Sequence, residues 1–217
     1  MKFSENTLSV LKNFSSINGG VVLKAGQTQK TISPEKCIMV EATLEDNLPS
    51  DFGIYDLNQF LGNVTTLRNP ELNFSKDSVT LDDGEFSLTY LSCSPQLIIS
   101  PPEKELALKQ VDVTFALTNV LLQKLLKISS MNNLPNMTVV GKDAELRLKI
   151  HEKANDTSNH GSVKIGDYSG PDFTATFKTE NLKLLPDDYT VEIQNGAFAK
   201  FVNKAGNLKY FIALETK

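Results

Sequence analysis

Residues 53–62 mark a junction at which a strand runs directly into a short helix, and this junction sets the organisation of the chain. The segment reads GIYDLNQFLG. Asp56 can accept a backbone N–H from the first helical turn and so act as the N-cap. An apolar stripe at helical spacing follows it, made of Leu57, Phe60, Leu61, Val64 and Leu67. The opposite face is polar and carries no acid, although the net charge of the chain is −4.

Two further segments have the same amphipathic character. Ser4 or Asn6 can cap a helix that runs to about Ile17, and Thr118 can cap a helix over residues 119–131. The predicted inward stripe of the later helix consists of Leu121, Leu122, Leu125, Ile128 and Ser129.

The three helical segments share an absence of acid. Residues 7–17, 57–67 and 119–133 contain no Asp or Glu, in a chain with 26 acidic residues. One interpretation is that short helices with few charges sometimes lack acids. The other is that these faces meet a polyanion without reading bases, since a carboxylate there would repel phosphate.

Strand-like runs surround the helices in both halves of the chain. They fall at 21–25, 37–44, 52–55, 72–74, 79–81 and 86–91, and again at 111–115, 137–140, 146–150, 163–166, 173–177, 189–193, 198–202 and 208–214. A second short helix is predicted at 180–185, capped by Thr179 and stopped by Pro186. Each half thus reads helix, strands, short helix, strands, which predicts an α+β duplication on antiparallel sheets.

A proline-rich stretch with a charged Glu-Lys-Glu run separates the halves. We therefore predict a first domain at 1–99, an interdomain connector at 100–110 and a second domain at 111–217.

Residues suited to catalysis or metal binding form no constellation. Cys37 and Cys93 are isolated and favour reduced structural thiols, while His151 and His160 favour solvated loop positions. Residues 161–166 lack the arrangement of a phosphate-binding loop. No apolar run approaches the ~20 residues of a membrane helix. The sequence predicts a protein that is not an enzyme, takes no cofactor or metal and has no membrane partner.

Several motifs, in order along the whole chain, resemble the sliding clamps, or DNA polymerase processivity factors, of T-even-like tailed phages. The most specific is IYDLN with FLG at 54–62. The others are MKxS at 1–4, LKNF at 11–14, IN at 17–18, LLKIS at 125–129, GDYSG at 166–170, LKxxP at 182–186 and ALE at 213–215.

The resemblance implies the DNA-clamp fold, with two similar domains that each place two helices on an antiparallel sheet. Three subunits would close head to tail into a ring around duplex DNA, contact it without sequence preference and tether the replicative polymerase. The implied partners are duplex DNA, the phage DNA polymerase, an ATP-dependent clamp loader, further copies of the chain and late transcription factors. The implied location is the cytoplasm of the infected bacterial host.

The resemblance also implies three sets of site residues. The DNA-facing set is Lys12, Arg68, Lys124, Lys127, Lys178 and Lys183, and Ser130 departs from the related pattern, which has a basic residue there. The partner-peptide pocket is Leu106, Leu108, Ile212 and Leu214, for which ordinary packing is an equal alternative. We also predict a subunit interface between the edge strands 86–91 and 162–167, with Leu88, Tyr90, Val163 and Ile165.

The alternative interpretation is a β-rich structural or assembly protein of a virion. It accounts for the many strands and for the lack of a catalytic constellation. It gives no reason for acid-free helices at matching places in the two halves.

Overall fold

The computed structural model describes residues 1–155 and 157–215, which divide into two compact units, Met1–Lys104 and a second unit from Glu105 onward. The break lies inside the proline-rich stretch. None of the helices in the described chain is long and apolar enough to cross a membrane.

The first unit contains two α-helices, seven strands and one 3₁₀ turn at Pro95–Leu97. In chain order the helices and strands are α1 (Glu5–Ile17), β1 (Val21–Leu23), β2 (Gly26–Ile32), β3 (Ile38–Leu48), β4 (Phe52–Ile54), α2 (Leu57–Thr66), β5 (Glu71–Phe74), β6 (Ser78–Asp82) and β7 (Ser87–Leu91). The antiparallel pairings are β1 with β4, β2 with β3, and a three-stranded sheet in the order β5-β6-β7.

The second unit contains one α-helix and eight strands. They are β8 (Val113–Leu117), α3 (Asn119–Met131), β9 (Asn136–Lys142), β10 (Glu145–His151), β11 (Gly161–Asp167), β12 (Phe173–Lys178), β13 (Tyr189–Ile193), β14 (Phe198–Asn203) and β15 (Leu208–Ala213). Two antiparallel sheets run in the orders β11-β10-β9-β12 and β8-β13-β14-β15.

The predicted N-caps are confirmed for all three helices. The Ser4 side chain accepts from the Thr7 N–H at 3.1 Å, Asp56 from Gln59 at 2.9 Å, and Thr118 from Leu121 at 3.3 Å. Each bond satisfies an N–H that the first turn leaves without a helical partner. The capping residues therefore fix where each helix begins.

The cores are built from aromatic and aliphatic side chains beneath these helices. Phe14, Phe52 and Phe60 are fully buried in the first unit, and Phe177, Phe201 and Tyr210 in the second. In the first unit α1 packs against β3 and against α2. The opposite faces of the helices point to solvent, and the charged side chains of the helices lie there.

Strand β2 was not predicted, because its composition is polar. Gln29 and Thr31 are nevertheless buried. The Gln29 amide donates to the carbonyl oxygens of Lys24 and Gly26 and accepts the Lys24 N–H. These bonds offset the cost of burying the amide, so the segment forms a strand without an apolar pattern.

The predicted helix at 180–185 is wrong. A single 3₁₀ turn at Thr179–Asn181 stands there, followed by an irregular segment in which Leu182 and Leu184 are both buried. Tyr189 donates its hydroxyl to the Leu185 carbonyl oxygen at 2.6 Å, and the Tyr210 hydroxyl accepts the Leu185 N–H at 3.0 Å.

The two tyrosines thus satisfy both the N–H and the carbonyl oxygen of Leu185. Burial raises the pKa of both hydroxyls far above the usual value, so they stay protonated. Among the described residues of the second unit there is consequently one α-helix where the sequence predicted two.

Candidate functional site

The solvent faces of the three α-helices carry almost no acid. No Asp or Glu occurs in α2 or α3, and α1 has only Glu5, in its first turn. Lys12 on α1 and both Lys124 and Lys127 on α3 are exposed. None of these three lysines forms an ion pair with a carboxylate in residues 1–155 or 157–215. Their charges therefore face solvent uncompensated.

Helix α3 buries a narrower stripe than its sequence predicted. Leu122, Leu125 and Ser129 are buried, whereas Ile128 is 37% exposed. Val120 and Met131 are 80% and 74% exposed. The lysines of α3 thus stand among apolar side chains on its outer face.

Arg68 does not lie on a helix, since α2 ends at Thr66. Its backbone N–H donates to the Asp83 carboxylate at 3.2 Å. The N–H groups of Phe86 and Glu85 also donate to this carboxylate, at 2.9 and 3.0 Å. These hydrogen bonds, with that of Arg68, lower the pKa of Asp83. The negatively charged Asp83 carboxylate therefore lies next to the backbone of Arg68.

Lys178 and Lys183 likewise lie outside any α-helix. Lys178 ends β12, with its amine 3.8 Å from Glu180 and 4.0 Å from Glu215. It lines a cavity of about 570 Å³ together with Glu152 and both of those acids. Lys183 is exposed between two buried leucines. The six predicted cations thus divide into three on helices and three on connecting or strand-end positions.

Strand β7 lies at the edge of its three-stranded sheet and carries no charged residue. Leu88 and Tyr90 stand opposite the buried Leu81 and Val79 of β6. The outward residue Leu91 is 72% exposed. An uncharged open edge with a large exposed leucine is a surface that soluble proteins normally cover.

Strand β11 lies at the edge of the β11-β10-β9-β12 sheet. Val163 stands opposite the buried Leu148. The ladder passes from Gly166 to Lys164 across one step of β10, which leaves Ile165 in a bulge. The regular part of this edge is therefore residues 161–164.

The four residues of the predicted peptide pocket lie in the second unit but differ in accessibility. Leu106, Leu108 and Leu214 are half-buried, whereas Ile212 is fully buried and cannot present a surface to a ligand. Ile212 belongs to β15, and this correction follows from its inward position in the sheet.

Both ends of the proposed pocket are tied to the turn at 194–197. The Lys109 N–H donates to the Gln194 side-chain oxygen at 2.9 Å, and the Leu214 N–H donates to the Ala197 carbonyl oxygen at 3.1 Å. Leu214 also lines a cavity of about 490 Å³, with Lys153, Thr174, Ala175, Thr176, Asn195, Gly196 and Glu215. The sequence did not single out these other residues, because they come from separate loops and a strand edge.

The GDYSG motif has a structural role. Tyr168 donates its hydroxyl to the Pro171 carbonyl oxygen at 2.7 Å and stacks near Phe173. A Cβ placed on Gly141 or Gly170 would lie 2.6 Å from a Tyr168 atom. Both glycines therefore make room for the tyrosine, which fixes the loop that follows β11.

Comparison with known proteins agrees with the resemblance of the motifs. A family model described as DNA polymerase processivity factor matches residues 3–99. The sliding clamp of Vibrio phage KVP40 is 30% identical over 221 residues, with 99% of each chain covered. The sliding clamp of Enterobacteria phage T4 is 28% identical over 225 residues, with 99% of this chain and 97% of the relative covered.

The fold is shared more widely. A chain from the solved structure of the C-terminal region of FEN-1 bound to A. fulgidus PCNA matches with a TM-score of 0.72 at 12% identity, covering 97% of this chain and 95% of that chain. At this identity the likeness shows the DNA-clamp fold alone. Taken with the full-length phage relatives, it leads to one assignment: the chain belongs to the family of sliding clamps, the DNA polymerase processivity factors, of T4-like phages.

Proposed function

We propose that three copies of this chain close into a ring that encircles duplex DNA and tethers the phage polymerase during synthesis. The observation that carries the proposal is the charge on the helices. Lys12, Lys124 and Lys127 are exposed and form no ion pair with the described residues, on helix faces whose other side chains are uncharged except for Glu5 in the first turn of α1. Such a surface attracts phosphate through charge, which carries no sequence information.

Weak contacts suit a protein that must move along DNA. Retention comes from enclosure, so the phosphate contacts need only centre the duplex. Lysine suits this task, because its ammonium is a point charge on a flexible stem and makes no fixed bidentate contact. Arg68 and Lys178 contribute less to the attraction of phosphate, because the carboxylates of Asp83, Glu180 and Glu215 lie beside them.

Ring closure is proposed to pair β7 of one subunit with β11 of the next. This contact is heterologous, and a heterologous contact closes when its rotation permits. Pairing would cover the exposed Leu91 and extend each three- or four-stranded sheet into its neighbour. The bulge at Ile165 limits the regular ladder to residues 161–164.

The polymerase is proposed to bind through an extended peptide beside Leu108 and Leu214, at the cavity over Thr174 and Thr176. The related archaeal clamp structure, which holds the C-terminal region of FEN-1, gives a precedent for a peptide ligand on this fold. We assign loading to an ATP-dependent clamp loader, include late transcription factors among the partners, and place the protein in the cytoplasm of the infected host.

Charge reversal on α3 tests the proposal. Lys124→Glu with Lys127→Glu turns two positive charges of each subunit into two negative ones and leaves the buried Leu122 and Leu125 in place. Loading onto circular DNA should fall at least tenfold and should fall further at low salt, where screening is weakest. Folding should change by less than ~0.5 kcal/mol, as for other surface substitutions.

The matched control is Lys142→Glu with Lys204→Glu, which makes the same charge change at two exposed residues outside the helices. Loading should stay within about twofold of the parent, because counterion release counts only cations that reach phosphate. An equal fall in loading in both double variants would show a general charge effect. Parental loading by the α3 variant at low salt would refute the proposal.

A further inference from the structure

Three polar side chains form a hydrogen-bonded row on one face of the β11-β10-β9-β12 sheet. His151 ends β10 and is half-buried, whereas the sequence predicted a solvated loop position. Its Nε2 atom lies 2.8 Å from the hydroxyl oxygen of Thr138 on β9, and that oxygen lies 2.9 Å from the hydroxyl oxygen of Thr176 on β12. Thr176 also lines the cavity at which the peptide is proposed to bind. The row, defined as His151, Thr138 and Thr176, therefore links a titratable ring to that cavity.

The Thr138 hydroxyl is the middle group of the row and is only 3% exposed. A hydroxyl has one proton and two lone pairs. Within the residues that the structure describes, the Thr138 hydroxyl bonds only to His151 and Thr176. A buried O–H proton without an acceptor is costly. The Thr138 proton must therefore point either to the ring or to Thr176, and its direction decides what Thr176 can present to the cavity.

The surroundings of the imidazole indicate which ring nitrogen carries the proton of the neutral form. Burial and then the charge of Lys149 lower the pKa of His151 from the ordinary 6.5, whereas a hydrogen bond with the Glu152 backbone acts to raise it. A hydrogen bond that raises the pKa of a base favours its N–H form, so Glu152 offers its carbonyl oxygen to a ring N–H. Since Nε2 faces Thr138, this N–H belongs to Nδ1. The neutral ring then offers the Nε2 lone pair to Thr138.

The charged and titratable groups around the ring are few. Those that act on it are Lys149, Glu152 and His160. The residue of β9 opposite His151 is the uncharged Asn136, and Lys178 of β12 lies opposite Asn136, one strand further away. Because the pKa lies below the ordinary 6.5, the ring is mostly neutral near pH 7.

We propose that His151, acting through Thr138, makes the Thr176 hydroxyl a hydrogen-bond acceptor for the bound peptide. With the ring neutral, Thr138 donates to Nε2 and Thr176 donates to Thr138, so Thr176 presents only lone pairs to the cavity. The group that matches them is an N–H of the peptide. The inference rests on the proposed function, because it places the peptide at this cavity. It adds His151 as a positioning residue and names the kind of ligand group that Thr176 selects.

Protonation of the ring reverses the row. The imidazolium donates from Nε2 to Thr138, and the buried Thr138 proton then has only the Thr176 oxygen as its acceptor. Thr176 accepts that bond, so its own proton takes one of the two outward positions that held lone pairs. A proton there repels an N–H of the ligand. Peptide affinity should therefore fall as pH drops through the pKa of His151.

The first test measures peptide affinity against pH. Calorimetric titration uses the assembled full chain and a polymerase peptide without histidine. From about pH 8 to about pH 5, where carboxylates stay mostly ionised, the affinity of the parent should fall about three- to fivefold. His151→Asn should bind with nearly constant affinity over this range, because the asparagine amide does not titrate. A constant affinity in the parent, or a parental fall in His151→Asn, would overturn the inference.

His160→Asn is the matched control, because His160 is the other histidine of the chain and is exposed. It should keep the parental fall in affinity. If both variants lose the fall, the response does not belong to the row, and the inference is overturned.

The second test breaks the row at its other two members. Thr138→Val keeps the ring and the Thr176 hydroxyl but should abolish the pH response. Thr176→Val should lower affinity about three- to tenfold near pH 8 and also abolish the response, since one hydrogen bond to the ligand is lost. Thr176→Ser retains a hydroxyl and should restore both. Parental affinity of Thr176→Val near pH 8 would overturn the inference, because Thr176 would then not contact the peptide.

Nitrogen-15 NMR of the histidine rings tests the protonation state without any ligand. The neutral His151 ring should carry its proton on Nδ1, and His151 should titrate below the ordinary pKa of 6.5. A neutral ring protonated on Nε2 would overturn the inference, because Thr138 would then accept from the ring at every pH.

A leucine variant separates this inference from the proposed peptide site. Leu108→Ser with Leu214→Ser removes apolar contacts at the same site and leaves the row intact. If it weakens binding while His151→Asn keeps the parental pH profile, the peptide site stands and only the role of His151 is rejected. If neither variant changes binding at any pH, the peptide lies elsewhere and both proposals fail.

Discussion

The Tyr90 hydroxyl donates a hydrogen bond to the backbone carbonyl oxygen of Asp56 across 3.2 Å. The Tyr90 ring packs edge-on against Phe60, with centroids 5.2 Å apart. Asp56 is the N-cap of α2, and Phe60 lies on the buried face of that helix. Through Tyr90, the edge strand β7 therefore contacts both the start and the buried face of α2. A change at the β7 edge that spares Tyr90 therefore leaves α2 in place.

Leu91→Lys should convert the proposed trimeric ring into monomers. Leu91 is 72% exposed on the uncharged edge strand, so lysine fits the isolated subunit, but pairing would bury its charge without a partner. Light scattering after size exclusion measures the mass. Met131→Lys, at a side chain 74% exposed on α3, is the control and should remain trimeric. A trimeric Leu91→Lys variant would assign the interface elsewhere.

Gly53→Ala should destabilise the first unit by about 1–3 kcal/mol. A Cβ at this position would collide with the Cys93 carbonyl oxygen, and the same backbone region holds the hydrogen bond from the Cys93 N–H to the Gly53 carbonyl oxygen at 2.9 Å. Gly62→Ala is the matched control, because a Cβ there meets nothing within 4 Å inside α2.

The control substitution should stabilise the protein by roughly 0.5–1 kcal/mol, since alanine costs less backbone entropy in a helix. Urea unfolding monitored by circular dichroism compares the two variants. Opposite signs are expected, and a destabilised Gly62→Ala would contradict the open space beside α2.

Leu108→Ser with Leu214→Ser should weaken binding of the extended polymerase peptide that is proposed to lie beside these two leucines. Each buried apolar anchor contributes on the order of 1–3 kcal/mol, so affinity should fall at least tenfold. Both leucines are half-buried, and the variant should still assemble. Calorimetric titration measures the affinity. Val120→Ser, at a side chain 80% exposed on α3, should bind like the parent. Undiminished binding by the double variant would locate the peptide elsewhere.

Asp83 should make stability depend on pH. Hydrogen bonds from the Phe86, Glu85 and Arg68 N–H groups lower its pKa from the ordinary 3.8. A depressed folded pKa contributes stability above the unfolded pKa, and this is lost as pH falls through the folded pKa. The difference in unfolding free energy between the parent and Asp83→Asn should therefore be largest near neutral pH and shrink below about pH 4. A difference that stays constant from pH 7 to pH 3 would contradict the assignment.

The sequence determined the features that depend on residues close together along the chain. Ser4, Asp56 and Thr118 begin their helices because a cap acts on an N–H two or three residues away. The apolar spacing from Leu57 to Val64 likewise decides which face α2 buries. The order of short motifs was enough to indicate the clamp family, which the full-length relatives confirm.

Tertiary structure decided what depends on distant partners. Residues 26–32 form strand β2 because their backbone pairs with β3, and the polar composition of the segment gave no sign of a strand. Residues 182–185 form no α-helix, and Tyr189 and Tyr210 instead satisfy the backbone of Leu185 from two strands.

Contacts formed only in the folded chain also distinguish Lys178 from Lys124. Glu180 is already close to Lys178 in the sequence, whereas Glu215 comes within 4.0 Å of the Lys178 amine only in the folded chain; Lys124 forms neither contact. The attraction between a carboxylate and an ammonium group depends on the distance between them, and for residues far apart in sequence only the fold sets that distance.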